Sequence, residues 1–248
     1  MAIWNDPQPS QTSFGASSRM NAGYASGAAL DAGLRKYMLS IYNYMASGVL
    51  LSGIVALGFV ESGLAEQVFR TPLRWLIVLA PLAFVFGMSA GLNRMKTSTL
   101  QACFWGFAVA MGLSLSSLLL VYTGPSIAMT FFATAGSFAG LSLVGYTTKK
   151  SLSGMGSFLT MGLFGLIIAM LINAFFPMPG MGFAISLLGV AIFAGLTAYD
   201  TQQLKNTYMH VAGTSMQERV AIMGALNLYL DFINLFQFLL SFLGDRRN

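Results

Sequence analysis

Apolar runs separated by short polar punctuation repeat along this chain from Met38 to Leu243. Seven of them approach the roughly 20 residues that a helix needs to cross a bilayer. They are Met38–Val60, Trp75–Leu92, Leu100–Tyr122, Ile127–Tyr146, Ser157–Phe175, Gly182–Ala198 and Val220–Leu243. Thr123-Gly124-Pro125 closes the third run and Pro177-Met178-Pro179-Gly180 the fifth, as turn-forming residues do. Most runs carry no charge, which the core of a soluble helical protein would not repeat so often. The pattern predicts an all-α integral membrane protein, a bundle of seven transmembrane helices.

The segment before the first run differs in kind. Residues 1–35 are rich in Ser, Gly, Ala, Asn and Gln and hold no continuous apolar stretch, so the expectation is a disordered cytoplasmic tail. It lacks the basic start and apolar core of a cleavable signal peptide. Residues 36–248 form a single transmembrane domain, with no internal repeat.

Composition agrees with the class: hydrophobic residues make up 56% of the chain and charged residues 8%, against roughly 25% charged in soluble domains. Charge then sets orientation. With the N-terminus inside, the inner segments hold Arg19, Arg35, Lys36, Arg94, Lys96, Lys149, Lys150, Lys205 and Arg219, and the outer ones Arg70, Arg74, Arg246 and Arg247. This asymmetry favours a cytoplasmic N-terminus. Arg246-Arg247 pulls the other way for the C-terminus, so the last run either crosses or re-enters; its length favours a crossing. The formal charge of +5 reflects topology, and no basic patch calls for nucleic acid. Gly87-MSA-Gly91 and Gly136-SFA-Gly140 fit the small-xxx-small pattern, expected here to serve packing within one subunit. A monomer in the lipid bilayer is the expected state.

Catalytic signatures are poor, and no enzyme activity is expected. The single Cys103 allows no internal disulfide, His210 sits in a polar segment, and neither a G-x-S-x-G elbow nor an H-E-x-x-H helix occurs. The exception to this bland inventory is Asp231, the one charge inside the last run. A carboxylate there costs about 2.5–3.5 kcal/mol on insertion scales, so it faces a partner or a water-filled cavity. Asn227, Asp231 and Asn234 are spaced i, i+4 and i+7 and share one helix face, a polar seam that must look into the bundle. A second acid, Asp200, ends the preceding run. A buried structural network and an ion or proton pathway both account for such a seam.

Leu196-TAYDTQQL-Lys205 and Leu226-NLYLDFINLFQFL-Leu240 resemble the signature of the Bax inhibitor family, the transmembrane Bax-inhibitor-motif proteins, in a bacterial form. The resemblance runs from about Lys36 to Leu243. It implies seven helices with the last at the centre, surrounded by the other six. It also implies a pH-sensitive leak pathway for cations, chiefly Ca²⁺ as permeant ion with no cofactor, in a bacterial inner membrane. Gating falls to two aspartates that match Asp200 and Asp231, which also offer a weak Ca²⁺ contact. A basic residue at the end of the second span, carried over as Arg94, is implied to lock the site by pairing with the first aspartate. The alternative function is that of relatives which bind and restrain a membrane-anchored ATP-dependent protease.

The physics of an acid pair stands apart from the name. Two carboxyl groups within hydrogen-bond distance share a proton, because both cannot cheaply remain ionised, and hard oxygen donors suit Ca²⁺. Geometry sets a condition. A last helix starting at Arg219 carries Asp231 roughly 18 Å along its axis, whereas Asp200 stands five residues before Lys205. The two meet only if the last helix begins outside the bilayer or the sixth continues past Ala198.

Overall fold

The computed structural model describes the backbone of residues 14–247 and the side chains of residues 30–247. Among the described residues eight helices follow in order: α1 (Phe14–Glu61), α2 (Leu64–Phe69), α3 (Leu73–Gly91), α4 (Thr97–Val121), α5 (Gly124–Thr147), α6 (Ser153–Phe175), α7 (Met181–Val211) and α8 (Gln217–Leu243). All except α2 are long and apolar enough to cross a membrane. The chain is an integral membrane protein whose seven spans match the seven apolar runs. The short α2, unforeseen from the sequence, fills the connection between α1 and α3 after a turn at Gly63, whose φ of 72° favours glycine.

Two boundaries differ from expectation. Helical backbone begins at Phe14, inside the segment expected to be a disordered tail; an Ala-rich stretch without Pro tolerates helix. The remainder of that expectation, residues 1–13, lies outside the described residues. More consequential is α7, which runs on from Ala198 to Val211. Its 31 residues span roughly 46 Å, well beyond a hydrocarbon core of about 30 Å. Hydropathy falls after Tyr199, but Leu204 and Tyr208, one turn apart, still bury an apolar face. Tyr208 lies against the Tyr37 ring at 5.2 Å between centroids.

α8 occupies the centre. Half of its span is buried, against 11% for α6, and it packs on α1, α3, α4, α5 and α7. Five of the six expected neighbours pack closely on it. α6 leans on α7 and stands away from α8, leaving a gap that a cavity fills. Past α8 the chain turns back so that the Arg247 N–H donates to the Val121 carbonyl at 2.8 Å and the Thr123 N–H to Asp245 at 3.0 Å. The last span thus traverses the bundle and ends beside the α4–α5 connection.

Glycine sets the closest helix approaches, though not at the expected motifs. A Cβ at Gly145 on α5 would collide with the Ala198 carbonyl of α7, and one at Gly112 on α4 with the Ser52 backbone of α1. Gly87, Gly136 and Gly140 face open space, and Gly91 meets only the nearby Met95 side chain. The two small-xxx-small motifs therefore make no helix–helix packing within the subunit; their open faces cannot draw backbones together.

Candidate functional site

Asp200 and Asp231 come together across the α7–α8 interface, their carboxyl groups near neighbours in the lining of one cavity. The extension of α7 makes this possible. Asp200 lies eleven residues before Val211, roughly 16 Å along the axis, and Asp231 fourteen residues after Gln217, roughly 21 Å. Both acids therefore sit at similar depth from the α7–α8 connection. Ionised carboxylates are acceptors only, so a direct hydrogen bond between the two needs a shared proton.

Their surroundings are unequal. Asp231 is 5% exposed, and its Oδ2 is buried without a hydrogen-bond partner among the described residues. Asp200 is half-buried. Both line a cavity of about 950 Å³ in the gap between α6 and α8. Leu82 and Val85 of α3 and Leu163 and Met170 of α6 provide apolar wall, while Asn227, Asp231 and Asn234 run along one side. From Asp231 to Ser241 the cavity follows α8 for roughly 15 Å. At that far end stand Ser186, Ser241 and Arg246, with the Ser186 hydroxyl donating to Ser241 Oγ at 2.9 Å.

The seam residues play separate parts. Asn234 lines the cavity and donates to the Leu230 carbonyl at 2.8 Å, one turn earlier on its own helix. Asn227 presents its side chain at the inner end. Ser241 continues the seam, seven residues after Asn234; the spacing was legible, but a lone Ser in an apolar run gives little signal. Ser186, Asn173 and Arg246 join only through folding, being remote in sequence.

Arg94 is not at the pair in this conformation. It is exposed in the α3–α4 connection, and the charged group facing Asp200 is Asp231. The basic residue that engages this connection is Arg219, whose guanidinium donates to the carbonyls of Leu92 at 3.4 Å and Met95 at 3.3 Å. An Arg at the start of α8 thus meets the C-cap carbonyl of α3, at Leu92, and a carbonyl of the connection that follows, at Met95. His210 is exposed on the last turn of α7, and Cys103 is half-buried and free on α4. Among the described residues, no group of three or more His, Cys, Asp and Glu side chains gathers. Asp200 and Asp231 are thus the charged donors that the cavity offers a cation.

Comparison with known proteins gives the arrangement a lineage. The family described as inhibitor of apoptosis-promoting Bax1 matches residues 34–248. A protein of Caulobacter vibrioides is 47% identical over 231 residues, covering 88% of this chain and 92% of its own length. Uncharacterized protein RP147 of Rickettsia prowazekii is 45% identical over 219 residues, covering 88% and 93%. Inner membrane protein YbhL of Escherichia coli K12 is 42% identical over 220 residues, covering 87% and 94%.

Proposed function

Because the chain belongs to the Bax inhibitor family, we propose that it is a pH-sensitive cation leak pathway of a bacterial inner membrane, with Ca²⁺ as the permeant ion. The membrane assignment follows the relative named an inner membrane protein. The N-terminus faces the cytoplasm in this reading, supported by the basic residues of the α3–α4 and α5–α6 connections and by Lys205 and Arg219 on the helices flanking the α7–α8 connection. In that orientation the acid pair lies toward the inner part of the cavity and Ser186, Ser241 and Arg246 toward its outer end.

The observation that carries the reading is the juxtaposition of Asp200 and Asp231 in the wall of this cavity. While a proton is shared, α7 and α8 are held together and the path ends there. Loss of the proton places two negative charges face to face in a site that α8 largely buries. Their repulsion is relieved by separation of the helices or by a cation, and oxygen donors favour Ca²⁺. With two carboxylates and amide oxygens for donors, binding is weak enough for release, as conduction demands.

The test is Ca²⁺ uptake into liposomes holding the purified full-length protein, across a pH series. Flux that changes with pH, and that protein-free liposomes lack, is the expected result. Absence of flux at every pH overturns the leak and leaves restraint of a membrane protease as the reading to pursue.

A further inference from the structure

The groove between α1 and α5 lies away from the acid pair and has its own chemistry. Both helices pack on α7 and α8 but share no packed interface with each other. The space between them measures about 540 Å³. Leu39, Tyr42 and Met45 form one wall and Phe138, Ala139 and Leu143 the other. Leu39 and Leu143 are 51% and 62% exposed, so the groove is open along its length to whatever solvates the bundle.

One end is cationic. Arg35 lines the groove there, opposite Tyr146. The Lys205 ammonium is fixed nearby, donating to the Tyr146 carbonyl at 2.8 Å and lying 5.2 Å from its ring. Lys149 and Lys150 follow just past the end of α5, and among the described residues the acid on this part of α1 is Asp31, a turn before Arg35. From Arg35 to Met45 the α1 wall is ten residues long, roughly 15 Å. That is half of a hydrocarbon core of about 30 Å, the depth of one leaflet.

We propose that this groove binds one anionic phospholipid, its acyl chain lying between α1 and α5 and its phosphate against Arg35. The apolar walls match a chain confined to a single leaflet. The cations at one end match an anionic headgroup, as basic pockets between transmembrane helices do. A zwitterionic lipid brings its own cation to Arg35 and Lys205 and fits less well.

The experiment measures lipids retained by the full-length protein in native mass spectrometry, after equilibration in mixed micelles with equal phosphatidylglycerol and phosphatidylcholine of identical chains. The wild type is expected to retain one phosphatidylglycerol in preference to phosphatidylcholine. Arg35→Gln should lower that preference about fivefold, while Ala139→Phe, which fills the groove from an exposed position, should lose both lipids. Lys36→Gln, whose side chain is not part of the groove lining, should behave as wild type. Unchanged retention in Ala139→Phe overturns the proposal. So do equal losses in Arg35→Gln and Lys36→Gln, which indicate diffuse attraction, and a second copy of the chain in place of lipid.

Discussion

The Tyr229 hydroxyl meets Ser52 Oγ at 2.7 Å, on the face of α8 turned away from Asp231. Ser52 passes the hydrogen bond on to the Ala108 carbonyl, also at 2.7 Å, so α8, α1 and α4 are joined by one buried chain of donors. α8 is thus held on two sides by different means. Toward α1 the link is neutral hydroxyl chemistry; toward α7 it is a carboxyl pair that depends on a proton. Motion driven by pH is accordingly expected at the α7 side, with α1 and α4 as the fixed wall.

The neutral link predicts an asymmetry. Ser52→Ala leaves the fully buried Tyr229 hydroxyl without its partner and should cost about 1–3 kcal/mol. Tyr229→Phe removes the hydroxyl itself, and Ser52 keeps the Ala108 carbonyl, so about 1 kcal/mol is expected. Thermal unfolding in detergent should rank the two in that order; the reverse order contradicts the direction of the chain.

The acid link predicts pH dependence with a sign. Raising pH removes the shared proton, weakens the α7–α8 contact and should increase Ca²⁺ flux. Asp231→Asn keeps a hydrogen bond to Asp200 but has no proton to lose at that position, so its flux should stay low and lose most of its pH response. Asp200→Asn is expected to act in the same direction. Liposome flux for both variants, measured from pH 5 to 8, decides the matter: unchanged profiles in both reject the pair as the sensor.

Close approach at Gly145 predicts a packing cost. A methyl there meets the Ala198 carbonyl, two residues before Asp200, so Gly145→Ala should destabilise the protein by about 1–3 kcal/mol and disturb the acid contact as well. Gly136→Ala on the same helix meets no neighbour and should be neutral or stabilising by up to about 1 kcal/mol. Melting temperatures of the pair separate tertiary crowding from helix propensity.

Arginine placement predicts which connection matters. Arg219→Ala removes the donors to Leu92 and Met95 and should cost about 1 kcal/mol of stability. Arg94→Ala, exposed, should change stability by less than about 0.5 kcal/mol. Basal flux tells more about Arg94: an increase would reveal a second conformation in which it reaches Asp200, and no change is what the present geometry predicts.

Sequence alone determined the class, the number of spans and the polar face of the last helix. Those properties follow from local composition: uncharged runs of bilayer length partition into lipid, and residues at i, i+4 and i+7 share a face whatever surrounds them. The signature around Asp200 and Asp231 was likewise legible in the chain. Tertiary structure decided how α7 ends, because Leu204 and Tyr208 stay helical by packing on α1 after hydropathy has fallen. It decided that the two acids stand at similar depth and face each other. It also decided which glycines matter, since Gly145 has a backbone opposite it and Gly136 has nothing. A spacing pattern states that a close approach is allowed; only the neighbouring helix determines whether one occurs.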